Sequence, residues 1–406
     1  MNNKLNEKKM VVSFANSALM LSKFQLERNL NLTNKYKLSE YKDICDETTL
    51  FYDAFYSHDN KYIIIMAAPP YGYEDHLLKA TFYYDNNKLS AHHRRLKKVY
   101  EIWLEAPTSE KISNITVNIN SKSAVISISQ NQASRFKGAR VISTLCKDTP
   151  ISWISDWLRF HVDNHNVDAL ILFENSDDPK YAQQIFSHLT NEFPNIEIEV
   201  VHVPFKYGPN CVPNLMFLQP SLHQLLRWKY VQNSQGLLVC DIDELVVCED
   251  DKTIFEKLNK CWLGYLLIQG VWVEPATNTK IDNPIDINKL QHSMFLHTNN
   301  PPSKTARKWV VKPSRIPRAV QFKIHGMRPE PKIKALWHPL YSRLRPFAKM
   351  CKHFHFRSIS TSWKSDRSKL IPINNSNHLR NEHLVKSLQK AGLYVDELNN
   401  SQKESN

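Results

Sequence analysis

Beyond Phe136, short apolar runs alternate with amphipathic helical stretches, and this alternation constrains the fold more than any other feature. Residues 141–145 read as a buried strand. Residues 152–165 then place Trp153, Ile154, Trp157, Leu158 and His161 on one helical face. A second strand follows at 169–173, and Tyr181, Ile185, Phe186 and Leu189 mark a second helix. A third strand covers 196–203, a third helix 222–231, and another apolar strand starts at Gly236. Repeated strand–helix units of this length predict a mostly parallel α/β sheet with helices on its faces. Ligands bind at the carboxyl ends of such strands.

The strand from Gly236 runs straight into Asp241-Ile242-Asp243-Glu244. If the strand continues, alternation points Asp241 and Asp243 the same way, while Ile242 faces the packed side. Two carboxylates on one face repel unless a cation lies between them, and hard oxygen ligands suit Mg2+ or Mn2+. The alternative is a strand that ends in a solvated acidic turn.

Other sites lose their support in the same sequence. Only 8 glycines occur, with no G-x-G-x-x-G, no phosphate-loop motif and no G-x-S-x-G. The net charge of +13 is concentrated: residues 303–370 hold 18 Lys or Arg against Glu330 and Asp366. Charge gathered this way implies an anionic partner at one face. Trp309, Phe322, Trp337, Tyr341, Phe347, Phe354 and Phe356 are interspersed, as expected of a packed segment and not of a disordered basic tail. The 7 cysteines are scattered and lack C-x-x-C spacing, which predicts no zinc site, no disulfide framework and a reducing compartment. No apolar run reaches transmembrane length, so the expectation is a cytoplasmic protein, with peripheral contact to an anionic membrane through the basic segment.

The N-terminal third has a different rhythm. Residues 1–44 read as a polar segment with short helices, and 45–137 as a small antiparallel β module. In it Ile115, Val117 and Ile119 alternate with polar residues, and Ala124, Ile126 and Ile128 repeat the pattern after a turn at 120–123. Residues 138–372 carry the α/β pattern, and 373–406 read as a C-terminal helical tail.

Candidate ligand-binding residues follow the strands. Lys147 and Asp148 come after the first, Asn175, Asp177 and Asp178 after the second. Carboxylates and amides here can bond a nucleobase and ribose. Asp177 and Asp178 equally fit capping of a helix that opens at Pro179.

Three stretches together resemble a known group. Thr144-Leu145-Cys146-Lys147-Asp148, Trp157-Leu158-Arg159-Phe160-His161 and Leu172-Phe173-Glu174-Asn175-Ser176-Asp177 are similar to the opening of the family-92 glycosyltransferases and their bacterial family-2-like relatives. Residues 236–247 resemble their D-x-D-E strand, with Leu245 where Phe is usual. Arg307–Pro313 with His325, and His353-Phe354-His355-Phe356-Arg357-Ser358, resemble two later motifs. The resemblance covers about residues 138–370 and departs at Thr149 and Glu174. It implies a GT-A-type, Rossmann-like fold and metal-dependent transfer from a nucleotide-sugar donor to a glycan or lipid-linked acceptor. Surface polysaccharide or lipopolysaccharide synthesis is the expected setting.

The chemistry agrees with that implication. Breaking a sugar–phosphate bond leaves a diphosphate anion, which a metal together with Lys or Arg stabilises. Asp241 and Asp243 are the expected metal ligands, with His325 as third ligand and His355 as the second choice. Lys308 and Arg357 are phosphate candidates. An inverting transfer needs a carboxylate to deprotonate the acceptor, and Glu274, after the apolar run 266–273, is placed for it. Two other classes remain: a metal-dependent phosphoryl or nucleotidyl transferase using the same acids, and a non-catalytic binder of an anionic polymer. No nucleic-acid-binding signature is present, so nucleic acid is not an expected partner.

Overall fold

The computed structural model describes residues 11–30, 43–107, 111–209, 215–277, 286–330, 346–361 and 369–394. Nine strands of the described residues build the main sheet: β1 (Val12–Ser13), β2 (Arg140–Cys146), β3 (Ala169–Glu174), β4 (Glu197–His202), β5 (Gly236–Val239), β6 (Glu244–Cys248), β7 (Tyr265–Val273), β8 (Lys304–Val311) and β9 (Phe347–Phe356). Their order is β1-β4-β3-β2-β5-β8-β7-β9-β6. The first five are mutually parallel, as the strand–helix alternation requires. Beyond β5 the sheet becomes mixed: β8 is antiparallel to both β5 and β7, β9 runs parallel to β7, and β6 lies antiparallel at the edge.

Burial explains the strand sequences. All six residues of β3 are buried, because both faces of the sheet are covered. One face packs on α1 (Ile151–His165), α2 (Pro179–Glu192), α4 (Ile254–Asn259) and α5 (Glu382–Lys390). The other packs on α3 (Leu218–Leu225), which continues as a π-helical turn through Tyr230, and on the N-terminal module. Asp178 caps α2 by accepting from the Lys180 N–H at 2.9 Å, with Pro179 in the first turn. Capping is therefore the role the structure shows for Asp178.

The module is two antiparallel sheets, and its predicted hairpin is present, with Val117 opposite Ala124 and Ile115 opposite Ile126. A buried polar junction docks it on the main domain. Lys229 reaches Asp53 at 2.7 Å with both side chains nearly inaccessible. Glu101 accepts from Gln224 Nε2 at 2.7 Å and from the indoles of Trp103 and Trp228 at 2.8 and 3.2 Å.

One sequence expectation is corrected here. Cys248 and Cys351 form a disulfide across β6 and β9. They are 103 residues apart in sequence, so spacing alone could not reveal that register brings them face to face. In the N-terminal segment, Phe14–Asn16 and Leu21–Phe24 are short 3-10 helices, and Val12–Ser13 joins the main sheet beside β4. Among the described residues, no helix is long and apolar enough to cross a membrane.

Candidate metal and active site

The acidic run does not extend the strand as alternation supposed. β5 ends at Val239 and the chain turns through 240–243 before β6 begins at Glu244. The turn is closed reciprocally: the Glu244 N–H donates to the Asp241 carbonyl at 3.0 Å, and the Asp241 N–H donates to Glu244 Oε2 at 2.9 Å. Asp241 and Asp243 are thereby placed by a turn, and Glu244 becomes part of the cluster.

β9 supplies the other half. Phe354 and Phe356 pack into the core, and alternation sends His353, His355 and Arg357 to the opposite face. His355 lies opposite Glu244 in register. Its Nε2 is 3.0 Å from Asp243 Oδ2 and its Nδ1 is 3.4 Å from Glu244 Oε1. One ligand atom each from Asp243, Glu244 and His355 fall within 4.8 Å of one another. Trp272 of β7 lies against the His355 ring at 4.1 Å between centroids and under the Arg357 guanidinium at 4.2 Å. Gly270 leaves room for this arrangement: a Cβ there would come within 2.4 Å of His353 Nε2, which bonds the Ala306 carbonyl.

Lys308 balances the cluster from β8. Its buried ammonium lies 2.5 Å from Asp241 and 2.9 Å from Glu244 Oε2. Burial disfavours the charged amine, but Asp241 and Glu244 outweigh this and hold its pKa well above the ordinary lysine value. Burial pushes the Glu244 carboxyl up to about 7, opposed by Lys308 and reinforced by Asp241 and Asp243. Burial alone would lower His355, yet Asp243 and Glu244 raise it.

The expected site residues separate into three groups. Asp243 and His355 come together with Glu244, while Asp241 instead pairs with Lys308. Lys308, expected to touch phosphate, is committed to two carboxylates. His325, the first choice for third ligand, has its Nδ1 3.1 Å from the Arg307 carbonyl and belongs to no ligand cluster among the described residues. The residue is exposed at the surface, and partial desolvation with the nearby Lys308 and Lys323 charges moves its pKa downward. Asn175 spends both amide hydrogens on the Val203 and Phe205 carbonyls, at 2.5 and 2.8 Å, and so holds a loop. Lys147, Asp148 and Asp177 are exposed on strand-end loops. Glu274 follows β7 directly and is buried, with Arg357 Nε at 3.1 Å and Asn299 Nδ2 donating at 2.8 Å. Arg357 is thus paired with Glu274.

Three histidines hold the acidic turn from behind. β6 is an edge strand, and the Val246 groups facing away from β9 need partners. His161 Nε2 accepts from the Val246 N–H at 3.3 Å while its Nδ1 donates to the Trp157 carbonyl at 2.8 Å. One helical turn later, His165 Nε2 donates to the Val246 carbonyl at 2.7 Å and its Nδ1 accepts from the Ile254 N–H. His292 Nε2 donates to the Ile242 carbonyl at 2.9 Å. These tautomers follow from the partners available. Burial lowers all three, His165 and His292 to about 4. Their depressed values mean that stability is fully present above the unfolded histidine pKa of about 6.5 and is lost as pH falls toward about 4. Glu244, Asp156 and His355, whose values are raised, act in the opposite sense, but buried His223 and His353, lowered to about 4 and about 3, add to the three. Urea midpoints are therefore expected to rise with pH across that window. A flat or inverted profile would contradict the neutral clamp.

No family model and no curated protein matches this sequence. Among solved structures, similarity is found to the mannosyltransferase Ktr4p from S. cerevisiae, at 9% identity and TM-score 0.25, covering 34% of this chain and 41% of that one. The bifunctional glycosyltransferase WbbM matches at 11% identity and TM-score 0.24, over 36% of this chain and 27% of that one. The galactosyltransferase LgtC in complex with donor and acceptor sugar analogs matches at 12% identity and TM-score 0.27, over 63% of this chain and 98% of that one. This chain spans less than half the length of the first two. TM-scores this low assign neither family nor activity.

Proposed function

We propose that this chain is a GT-A-type glycosyltransferase that moves a sugar from a nucleotide-sugar donor to a glycan or lipid-linked acceptor. The observation that carries the proposal is the convergence of Asp243, Glu244 and His355 just beyond the carboxyl end of β5, where parallel α/β sheets bind ligands. Two carboxylates and an imidazole suit a divalent ion, and the nitrogen ligand favours Mn2+ over Mg2+. When bound, such an ion would neutralise the diphosphate leaving group.

The remaining roles belong to the protein. Lys308 fixes Asp241 and Glu244 Oε2, so that Oε1 is left toward His355. Trp272 offers a flat apolar surface beside the cluster, although His355 and Arg357 already occupy part of it. Glu274, oriented by Arg357 and Asn299, is the carboxylate assigned to take the acceptor hydroxyl proton in an inverting transfer. Lys147, Asp148 and Asp177 are exposed after the first two parallel strands and are assigned to the nucleotide. Surface polysaccharide or lipopolysaccharide synthesis at a membrane face is the setting this reading suggests.

A panel of nucleotide-sugars incubated with Mn2+ and then with EDTA tests the proposal. Release of free nucleotide with one donor, abolished by EDTA, is expected. Transfer of phosphate in place of sugar would establish the phosphotransferase alternative. Metal binding should also strengthen as pH rises through about 7, because coordination expels the Glu244 proton and requires neutral His355. Affinity independent of pH there would remove Glu244 and His355 from the ligand set.

A further inference from the structure

A second charged site lies where the N-terminal module meets the basic segment. Lys97 and Lys98 form the two-residue loop between strands Ala91–Leu96 and Val99–Glu105, with Leu96 opposite Val99. Such loops favour Asn-Gly or Gly because left-handed backbone is required. Here Lys98 itself adopts φ 64°. A lysine at this position costs local stability compared with glycine, and its side chain is half-buried beside other cations.

The loop is fastened to a second hairpin. Gln321 accepts from the Lys97 N–H at 3.1 Å and donates to the Lys97 carbonyl at 2.9 Å. Strand Val320–Lys323 pairs with Gly326–Pro329, with Gln321 opposite Arg328. Gln321, Lys323 and Arg328 therefore share the hairpin face that meets Lys97. Of the acids nearby, Glu101 and Glu330 are held by Arg94 and Glu74 by Arg95. Lys97, Lys98, Lys323 and Arg328 have no ion pair among the described residues. Burial and neighbouring cations push Lys98 and Lys323 below the ordinary lysine value. Lys97 and Lys98 also line a cavity of about 610 Å3 with Tyr71, His76 and Arg95, whose wall includes the carboxylates Glu74 and Asp75.

We propose that Lys97, Lys98, Lys323 and Arg328 bind the phosphate group of a phosphorylated ligand. Four cations with no ion pair among the described residues, gathered on two clamped hairpins, repel one another and favour an anion beside them. The binding itself is independent of sugar transfer. That the ligand is the acceptor of sugar transfer is a further assignment, which rests on the glycosyltransferase reading.

Inorganic pyrophosphate titrated calorimetrically in EDTA tests the site without any contribution from a divalent ion. Wild type should bind, and Lys98→Gly and Lys323→Ser should each weaken binding about tenfold. Lys98→Gly should at the same time keep or raise the melting temperature, because glycine accepts the left-handed backbone. Lys98→Asn, which tolerates the same backbone, is the second variant. Lys180→Ser, on the remote helix α2, should bind as wild type. Vesicles containing phosphatidic acid, compared with pure phosphatidylcholine, locate the phosphate: variant-sensitive vesicle binding places it on a lipid, and variant-sensitive pyrophosphate binding alone places it on a soluble ligand. Absence of pyrophosphate and vesicle binding by wild type, or undiminished binding by the loop and Lys323 variants, would overturn the proposal. Asp243→Asn should leave this binding intact, so failure here and failure of the transferase reading are separately visible.

Discussion

Asp243→Asn is expected to remove Mn2+-dependent turnover while leaving the fold intact. Asp243 touches His355 through its carboxylate, and its backbone carbonyl separately accepts from the Phe356 N–H at 2.8 Å. The amide keeps that backbone bond and removes one charged ligand. Changes to outer-shell partners of metals cost about 10–100-fold, so loss of a direct ligand should cost at least about a hundredfold in metal affinity. His355→Ala should match it. Stability of Asp243→Asn should stay level or rise slightly, since two neighbouring carboxylates no longer repel. Manganese titration and nucleotide release, measured on folded protein, check both effects. Wild-type metal affinity in Asp243→Asn and His355→Ala would refute the ligand set. His325→Ala serves as the comparison and should bind manganese normally, because its ring faces the Arg307 carbonyl.

Lys308→Met should produce the largest loss of stability. Lys308 is 2% exposed, as is its partner Glu244. Removing one member of a buried charge pair costs about 3–5 kcal/mol because the remaining charge loses its partner. The loss should grow as pH rises, since at low pH Glu244 takes up a proton and no longer needs a cation. Manganese should therefore stabilise Lys308→Met more than wild type, because binding to the native state restores a positive charge beside Glu244. Urea denaturation with and without Mn2+ at several pH values reads all three effects. Equal stability of variant and wild type at neutral pH would show that Lys308 does not carry the cluster.

The histidine clamp explains why conservative changes behind the site should matter. His161→Leu would leave the buried Val246 N–H unsatisfied, at about 1–3 kcal/mol. It touches none of the proposed ligands, so its effect on metal binding would be indirect.

Much of the architecture was legible from local pattern. Unbroken apolar runs at 169–173 and 236–240, spaced by helices whose apolar residues recur every three or four positions, require a parallel sheet covered on both faces, and β2 to β5 form one. The antiparallel hairpin at 114–127 followed from strict alternation. The acidic run and the alternating His353, His355 and Arg357 also stood out in the sequence. Tertiary structure decided what alternation could not. Whether 240–243 continued the strand or turned depended on the Asp241–Glu244 bonds, and that turn selected Glu244 as a member of the cluster. Which histidine met Asp243 depended on the register of β6 against β9, two strands about 100 residues apart, as did the Cys248–Cys351 bond. The fate of Lys308 was set in the same way, since a cation that reads as a phosphate ligand in sequence was captured by carboxylates brought alongside in the fold. Local periodicity fixes which face a side chain takes. Only long-range register fixes what it meets there.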